Sequence, residues 1–169
     1  WVRANANKLG VDPSRIAAGG GSAGGHVAAA TGNCPGLEEK EEDKKVRSRP
    51  EALVLFNPVY DNSSKGYGYD RVKARWKEIS PMHNISEGAP PTIVFLGTKD
   101  KLIPVETAQE YDRRMKATGS RSELYLYKDA THGFFNKGKK GDYYPDTIAK
   151  MDKFFVSLGW LTGLLNKKK

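Results

Sequence analysis

Ser22 is the residue whose neighbours most favour covalent chemistry, because it lies in the run Gly20-Gly21-Ser22-Ala23-Gly24. Apolar residues 16–18 precede the run, and small residues 27–31 with helical character follow it. A G-x-S-x-G pattern between a strand and a helix is typical of a nucleophile elbow, the sharp turn that exposes a reactive serine hydroxyl. Gly20 and Gly24 are expected to remove Cβ atoms where strand and helix come close. The backbone N–H of Ala23, at the helix start, is placed to stabilise a developing oxyanion.

A serine hydroxyl is a poor nucleophile at neutral pH and needs a base within hydrogen-bond reach. Asp100 and His132 each follow a predicted strand, and chemistry in open parallel sheets collects beyond the carboxyl ends of the strands. An imidazole takes the serine proton and returns it to the leaving group, while a carboxylate orients the ring. The sequence therefore predicts a triad of Ser22 as nucleophile, His132 as base and Asp100 as orienting acid.

Two other interpretations of the glycine cluster compete with the elbow. Gly19-x-Gly21-x-x-Gly24 also fits the G-x-G-x-x-G pattern of dinucleotide-binding loops. Such a loop is followed by an acidic residue at the end of the next strand, roughly 20 residues on. The acids at that distance, within residues 38–43, lie in a charge run instead. A plain glycine-rich turn is the remaining alternative. Neither alternative explains Asp100 and His132, so we favour the elbow and predict no cofactor and no metal.

Three further residues are weaker candidates for the site. His26 lies four residues beyond Ser22 on the predicted helix and is expected to point away from the strand end. His83 falls in an irregular segment and is expected to be structural or to lie at the rim. Asp129 is a second candidate for the acid, although it is close to His132 in sequence and reaches that ring with difficulty.

Helices and strands are predicted to alternate, as in a parallel α/β sheet with right-handed crossovers. Strands are expected at residues 15–18, 52–56, 91–97 and 122–127. Helices are expected at residues 1–9, from the elbow to about residue 32, and at 104–118, with a last helix whose apolar positions are Tyr144, Ile148, Met151 and Phe155.

Residues 62–90 form a long irregular connection rich in Gly, Ser, Pro and Tyr, with a short helix expected near residues 70–76. A long insertion at the end of a strand is where a lid facing the substrate would lie, and a packed loop is the alternative. Residues 38–45 carry mixed charges and predict a solvated linker or a short exposed helix.

The composition, with 169 residues, 38% hydrophobic and 28% charged, is typical of one globular domain. No apolar run approaches the roughly 20 residues of a membrane span. The single cysteine, Cys34, excludes an intramolecular disulfide. The net charge is +8, with basic clusters at residues 137–140 and 167–169. A nucleic-acid surface would more often interleave arginines and aromatics, so we expect solvated lysines and no nucleic-acid partner.

These residues resemble the α/β-hydrolase superfamily, and more closely its esterase and lipase branch, which includes acetyl-esterase and acetylxylan-esterase-like enzymes. The similar stretches are residues 15–26, 55–59, 97–100 and 131–134, and the resemblance runs from residue 1 to about residue 160. It implies an α/β fold with a parallel sheet and a small-molecule ester as substrate.

The resemblance also implies roles for single residues: Ser22 as nucleophile, His132 as base, Asp100 as orienting acid and the Ala23 N–H as one oxyanion donor. The activity it implies is that of a serine carboxylesterase for short, acetyl-like esters, acetylated sugars among them, working through an acyl-serine intermediate. A serine peptidase of the same superfamily is an alternative, although such enzymes usually carry an extra domain.

Members of that branch carry further strands before the nucleophile strand, and a His-Gly-Gly-type loop that supplies other oxyanion donors. No such run occurs in this sequence. We therefore expect residues 1–169 to be one partial α/β-hydrolase domain, its C-terminal portion, with Trp1 an internal residue. Losing one oxyanion donor costs on the order of 10²–10³ in rate, so a catalytically impaired fragment is a further alternative.

The strand before Ser22 is then expected to be an open, apolar edge, and bare edges pair with other chains. We expect self-association, or binding of a complementing chain, through residues 15–19. The sequence leaves the compartment open between cytoplasmic and secreted.

Overall fold

A computed structural model of the chain describes residues 1–162, which form a four-stranded parallel sheet in the order β1-β2-β3-β4. The strands are β1 (Ala17–Gly21), β2 (Ala52–Phe56), β3 (Thr92–Gly97) and β4 (Ser122–Tyr127). The α-helices are α1 (Ala6–Leu9), α2 (Ala23–Asn33), α3 (Tyr69–Val72), α4 (Trp76–Ile79), α5 (Val105–Ala117) and α6 (Tyr144–Ser157). Short 3-10 helices cover Arg3–Asn5, Lys73–Arg75 and Pro81–His83. The predicted parallel α/β fold is confirmed.

The two central strands are buried on both faces, which explains their continuous apolar runs. Successive side chains alternate between the faces. On one face, Leu53, Leu55, Val94 and Leu96 form a core with residues of the covering helices, among them Tyr111 and Met115 of α5. On the other face, Val54, Ile93 and Phe95 pack with Phe154 of α6. This sheet holds the loops at its carboxyl edge in fixed positions.

The strand β1 begins and ends later than expected, at Ala17–Gly21 instead of residues 15–18. Its glycines pair in parallel register with β2, with Gly19 opposite Val54 and Gly21 opposite Phe56. A Cβ on Gly19 would lie 2.9 Å from the carbonyl oxygen of Val54, so the close pairing itself requires glycine. Pairing with β2 thus overrides the weak strand propensity of glycine and carries the strand up to Ser22.

The first predicted helix, at residues 1–9, is instead a 3-10 helix followed by the single-turn α1. The helix expected near residues 70–76 is divided between α3 and the 3-10 helix Lys73–Arg75. In the connection at residues 62–90, the buried hydroxyl of Ser80 contacts the start of the connection, because it donates to Tyr60 O and accepts the Asn62 N–H. Much of the connection at residues 62–90 is exposed, and both the lid and the packed loop stay predictions.

The charge run at residues 38–45 forms exposed turns and contains no helix. The basic cluster at residues 167–169 lies outside the described residues. No helix within residues 1–162 has the length and apolar character that crossing a membrane requires. The same residues contain no group of three His, Cys, Asp or Glu side chains arranged to hold a metal ion.

Candidate active site

Ser22 occupies a strained turn between β1 and α2, with φ 54° and ψ −117°. A non-glycine residue in such a conformation costs about 1–3 kcal/mol and persists only where its surroundings hold it. The Ser22 N–H donates to Phe56 O at 2.9 Å. Its carbonyl oxygen accepts the N–H groups of His26 at 3.0 Å and Val59 at 3.4 Å. The end of β2 and the first turn of α2 together fix the turn.

The glycines around this turn differ in what a side chain would meet. A Cβ on Gly20 would lie 2.6 Å from the carbonyl carbon of Gly24, which is the close strand–helix approach expected there. The matching expectation for Gly24 is wrong, since a Cβ on that residue meets nothing within 4 Å. Gly25 is the helix residue that needs to be glycine, because its Cβ would lie 2.7 Å from Pro58 Cβ and 2.9 Å from Gly20 O. The helix turns Gly25, not Gly24, towards the strand.

Gly21 connects the turn to the loop that carries His132. A Cβ on Gly21 would lie 2.5 Å from the ring of Phe135, three residues after His132. The Phe135 ring also packs on Phe56, with the two ring centroids 4.5 Å apart. The elbow strand and the His132 loop are therefore in direct contact.

Asp100 and His132 lie together at the carboxyl edge of β3 and β4, with Oδ2 of Asp100 2.7 Å from Nδ1 of His132. The Asp100 side chain is fully buried, and its Oδ1 accepts the N–H groups of Leu102 at 2.8 Å and Ile103 at 3.1 Å. An ionised carboxylate only accepts hydrogen bonds, so Nδ1 of the ring carries a proton and Nε2 offers its lone pair. This arrangement prepares the imidazole to act as a base.

The structure brings the acid and the base together, but among the described residues no hydrogen bond joins the Ser22 hydroxyl to His132. Catalytic hydrogen bonds are often long in unliganded enzymes and tighten when substrate binds. Ala23 is the first residue of α2, and the N–H groups of a first helical turn have no partner within the helix. Its N–H is thus available to a ligand beside Ser22.

Sequence reasoning assigned no role to Asn57, which directly follows β2 and is fully buried. Its Oδ1 accepts the Gly133 N–H at 2.9 Å, and its Nδ2 lies 3.4 Å from Nε2 of His132. Its own N–H donates to Phe95 O at 2.7 Å. The signal that could have identified it is its position, because it follows a strand at the same edge as Ser22, Asp100 and His132.

The weaker candidates lie away from the His132 ring, as expected. Nε2 of His26 contacts Ile79 O at 2.9 Å and joins α2 to the end of α4. Nδ1 of His83 lies 2.9 Å from the Ser80 hydroxyl, and burial is the largest cause lowering the pKa of this histidine. Asp129 is exposed and pairs with Lys99 at 3.0 Å, so it is not the carboxylate that contacts the His132 ring.

A parallel sheet with a serine on a strained strand-to-helix turn and an Asp–His pair at the same edge defines an α/β-hydrolase. Residues 57–161 match the dienelactone hydrolase family, and residues 1–64 match BD-FAE. The chain belongs to the dienelactone hydrolase family.

Individual relatives of the chain are esterases. Esterase 2 of Thermogutta terrifontis is 44% identical with a TM-score of 0.90, and the match covers 96% of this chain and 62% of that one. It has been solved in a native form, with propionate bound, with butyrate bound and phosphorylated by paraoxon. Esterase LipC of Mycobacterium tuberculosis is 33% identical over 156 residues, which are 79% of this chain and 38% of LipC. The chain thus spans a little over a third of LipC.

Proposed function

We propose that this chain carries the catalytic centre of a serine carboxylesterase that hydrolyses short-chain esters through an acyl-serine intermediate on Ser22. The observation that carries the proposal is the contact between buried Asp100 and His132 at 2.7 Å. This Asp100–His132 pair lies at the same edge of the sheet as the strained turn of Ser22. Short acyl groups are favoured because the similar esterase 2 binds propionate and butyrate.

The first half of the proposed reaction forms the acyl-enzyme. Oγ of Ser22 attacks the ester carbonyl carbon while its proton moves to Nε2 of His132. The carbonyl oxygen becomes an oxyanion that accepts the N–H of Ala23. The tetrahedral intermediate then collapses, the bond to the alcohol oxygen breaks, and the alcohol leaves with the proton from Nε2.

The second half repeats these steps with water as the nucleophile. A water molecule attacks the acyl carbon and gives a proton to Nε2 of His132. The collapse then breaks the bond between the acyl carbon and Oγ of Ser22, releases the carboxylic acid and returns the proton from Nε2 to Oγ. Asp100 stays ionised and stabilises the imidazolium in both halves. Its two backbone N–H contacts keep it oriented towards Nδ1.

Burst kinetics with p-nitrophenyl acetate test this proposal. Wild-type chain should release one p-nitrophenol per Ser22 rapidly, and Ser22→Ala should lower turnover by at least about 10³-fold. Ser14→Ala is a matched control, because that exposed hydroxyl contacts only Asp12 and the wild-type rate should be kept. Equal rates for wild type and Ser22→Ala would sink the esterase proposal.

An impaired catalytic fragment is the second candidate, since the chain spans 62% of esterase 2 and no His-Gly-Gly run occurs in it. Such a fragment should react once at Ser22 and then turn over about 10²–10³-fold more slowly than a complete esterase. Intact-mass measurement after paraoxon treatment, combined with the turnover rate, distinguishes an active esterase from an impaired fragment. One adduct on Ser22 without measurable turnover indicates the impaired fragment.

Acetylated carbohydrates and peptides remain the other predicted substrates. A panel of p-nitrophenyl acetate, acetylated xylan and acetyl-alanine p-nitroanilide distinguishes them by kcat/KM. Ester cleavage with no release of p-nitroaniline would exclude the peptidase alternative.

We propose also that β1 pairs with a second copy or a complementing chain, because it is an edge strand of the described sheet with Ala17 and Gly19 exposed. Exposed strand edges are templates for pairing. Light scattering over a range of protein concentrations tests this pairing. A monomer at all concentrations would count against self-association.

A further inference from the structure

Asn57 is a buried polar residue beside the base that the proposed reaction steps do not use. Its side chain spans two groups of the His132 loop, the backbone of Gly133 and the ring of His132. Its φ of 34° lies in the left-handed region, which asparagine and aspartate adopt more readily than other non-glycine residues. The amide is thus held by a fixed backbone and is fully excluded from solvent.

The partners of Asn57 determine which way its amide faces. The Gly133 N–H can only donate, so the atom 2.9 Å from it must be the carbonyl oxygen Oδ1. The NH₂ group, Nδ2, is therefore the atom that faces Nε2 of His132 at 3.4 Å. Nε2 can receive a hydrogen bond only while it carries no proton. This requirement agrees with the Asp100 contact, which places the ring proton on Nδ1.

We propose that Asn57 is a positioning residue that holds the unprotonated His132 ring through Nδ2 and anchors its loop through Oδ1. This inference rests on the proposed function of His132 as the base. Asn57 donates to one ring nitrogen, Nε2, and Asp100 accepts from the other, Nδ1. Both contacts favour the tautomer that carries its proton on Nδ1.

The Asn57 contact belongs to the resting state of the base alone. Nε2 has a single lone pair, so the hydrogen bond from Nδ2 must open before the Ser22 hydroxyl donates to Nε2, and it stays open while the ring carries both protons. Asp100 is the charged group in contact with the ring, while Lys99 and Asp129 on the flanking loops pair with each other.

Asn57→Asp tests whether the side chain at this position faces Nε2 of His132. Aspartate keeps an acceptor for the Gly133 N–H and tolerates the left-handed backbone, but it places a carboxylate oxygen against Nε2 in place of a donor. A side chain that does not reach Nε2 would leave the midpoint of ring protonation where the control variant leaves it.

NMR titration of the His132 ring nitrogens in the full chain measures the effect. In Asn57→Asp the midpoint of ring protonation should rise by about 1–2 pH units, as expected for an opposite charge at hydrogen-bond distance. Asn136→Asp is the control, because it adds the same charge to the same loop from an exposed side chain that contacts Gly133 O. A rise in Asn57→Asp no larger than in this control would overturn the proposal.

A measurement on the wild-type chain covers the case in which Asn57→Asp does not fold. The side-chain NH₂ signals of Asn57 should shift with the same midpoint as the His132 ring. Signals that stay constant while the ring titrates would overturn the proposal.

The outcomes also separate this inference from the proposed function. If Ser22-dependent hydrolysis is absent but the Asn57 effects on the ring are seen, the esterase proposal fails and the positioning contact stands. If hydrolysis depends on Ser22 but the ring does not respond to Asn57, only the inference fails.

Discussion

Single residues determine the chemistry of this site, and Asp100 shows how. Its carboxylate has no exposed surface and three partners: the Nδ1–H of His132 and the N–H groups of Leu102 and Ile103. A carboxylate with backbone donors on one oxygen cannot turn away from the ring. The ring is consequently held in one tautomer and one orientation.

Replacing Asp100 with asparagine should therefore disrupt catalysis more than folding. The amide NH₂ would face Nδ1 and favour the other tautomer, so kcat should fall by about 10³–10⁴-fold. Asp129→Asn is the matched control, because this exposed acid pairs only with Lys99 at the same rim, and its kcat should change less than about twofold. Steady-state kinetics measure both variants, and equal losses would contradict the role of Asp100.

Cys34 should be an unreactive thiol in the folded chain. Burial raises its pKa to about 11, and the thiolate is the reactive form. A disulfide reagent at pH 8 should find no reactive thiol in the native chain and one after denaturation. Because the unfolded thiol loses its proton first, the free energy of unfolding should decrease as the pH rises from about 9 towards about 11. Rapid reaction of the native chain would contradict this prediction.

At the scale of elements, the junction of β1 and α2 fixes where Ser22 stands. The strand reaches Ser22 because its glycines lie against β2, and the helix starts immediately because Gly20 and Gly25 allow the two backbones to touch. Glycines in a G-x-S-x-G run are not equivalent, since one lies in the contact and the other faces open space. Substituting the two glycines should therefore change the stability of the chain by different amounts.

Gly20→Ala should destabilise the chain and Gly24→Ala should not. The new Cβ in Gly20→Ala lies 2.6 Å from the Gly24 carbonyl carbon, and overpacking of this kind costs about 1–3 kcal/mol. Gly24→Ala meets open space on a helix and should raise stability by up to about 1 kcal/mol. Thermal unfolding measures both, and equal changes in Tm would contradict the difference.

At the scale of the whole molecule, the sheet is a scaffold with a core on each face. Leu53 is fully buried between the sheet and α2, while Leu126 on β4 is 40% exposed. The sheet edge that carries Asp100 and His132 depends on this core, because both residues follow its strands.

Leu53→Ala should lower the free energy of unfolding by about 2–5 kcal/mol, since the deletion leaves a cavity in the core. Leu126→Ala should change it by less than about 1 kcal/mol, because its side chain is already partly in water. Urea unfolding measures both values. A loss at position 126 as large as that at position 53 would contradict the assignment of the core.

The sequence alone predicted the parallel sheet because its apolar runs have strand length, and β4 was placed at Ser122–Tyr127 without error. The predicted bounds of β1 were wrong because the low strand propensity of glycine takes no account of pairing with β2, which extends the strand to Gly21. Asn57 was missed because its contact with Gly133 joins residues 76 positions apart, and the fold alone brings them together. Local patterns predicted Ser22, Asp100 and His132 because each lies beside a strand end with a recognisable motif, whereas Asn57 lies in a run that is typical of an ordinary turn.

The ring of Phe135 lies against Gly21, so β1 and the loop that carries His132 are joined mechanically at this contact. We expect the displacements of these two elements to be correlated, so that the distance between Ser22 and the His132 ring fluctuates less than either element does relative to the rest of the chain. Hydrogen exchange at β1 and at the loop following β4 should then report a single opening event.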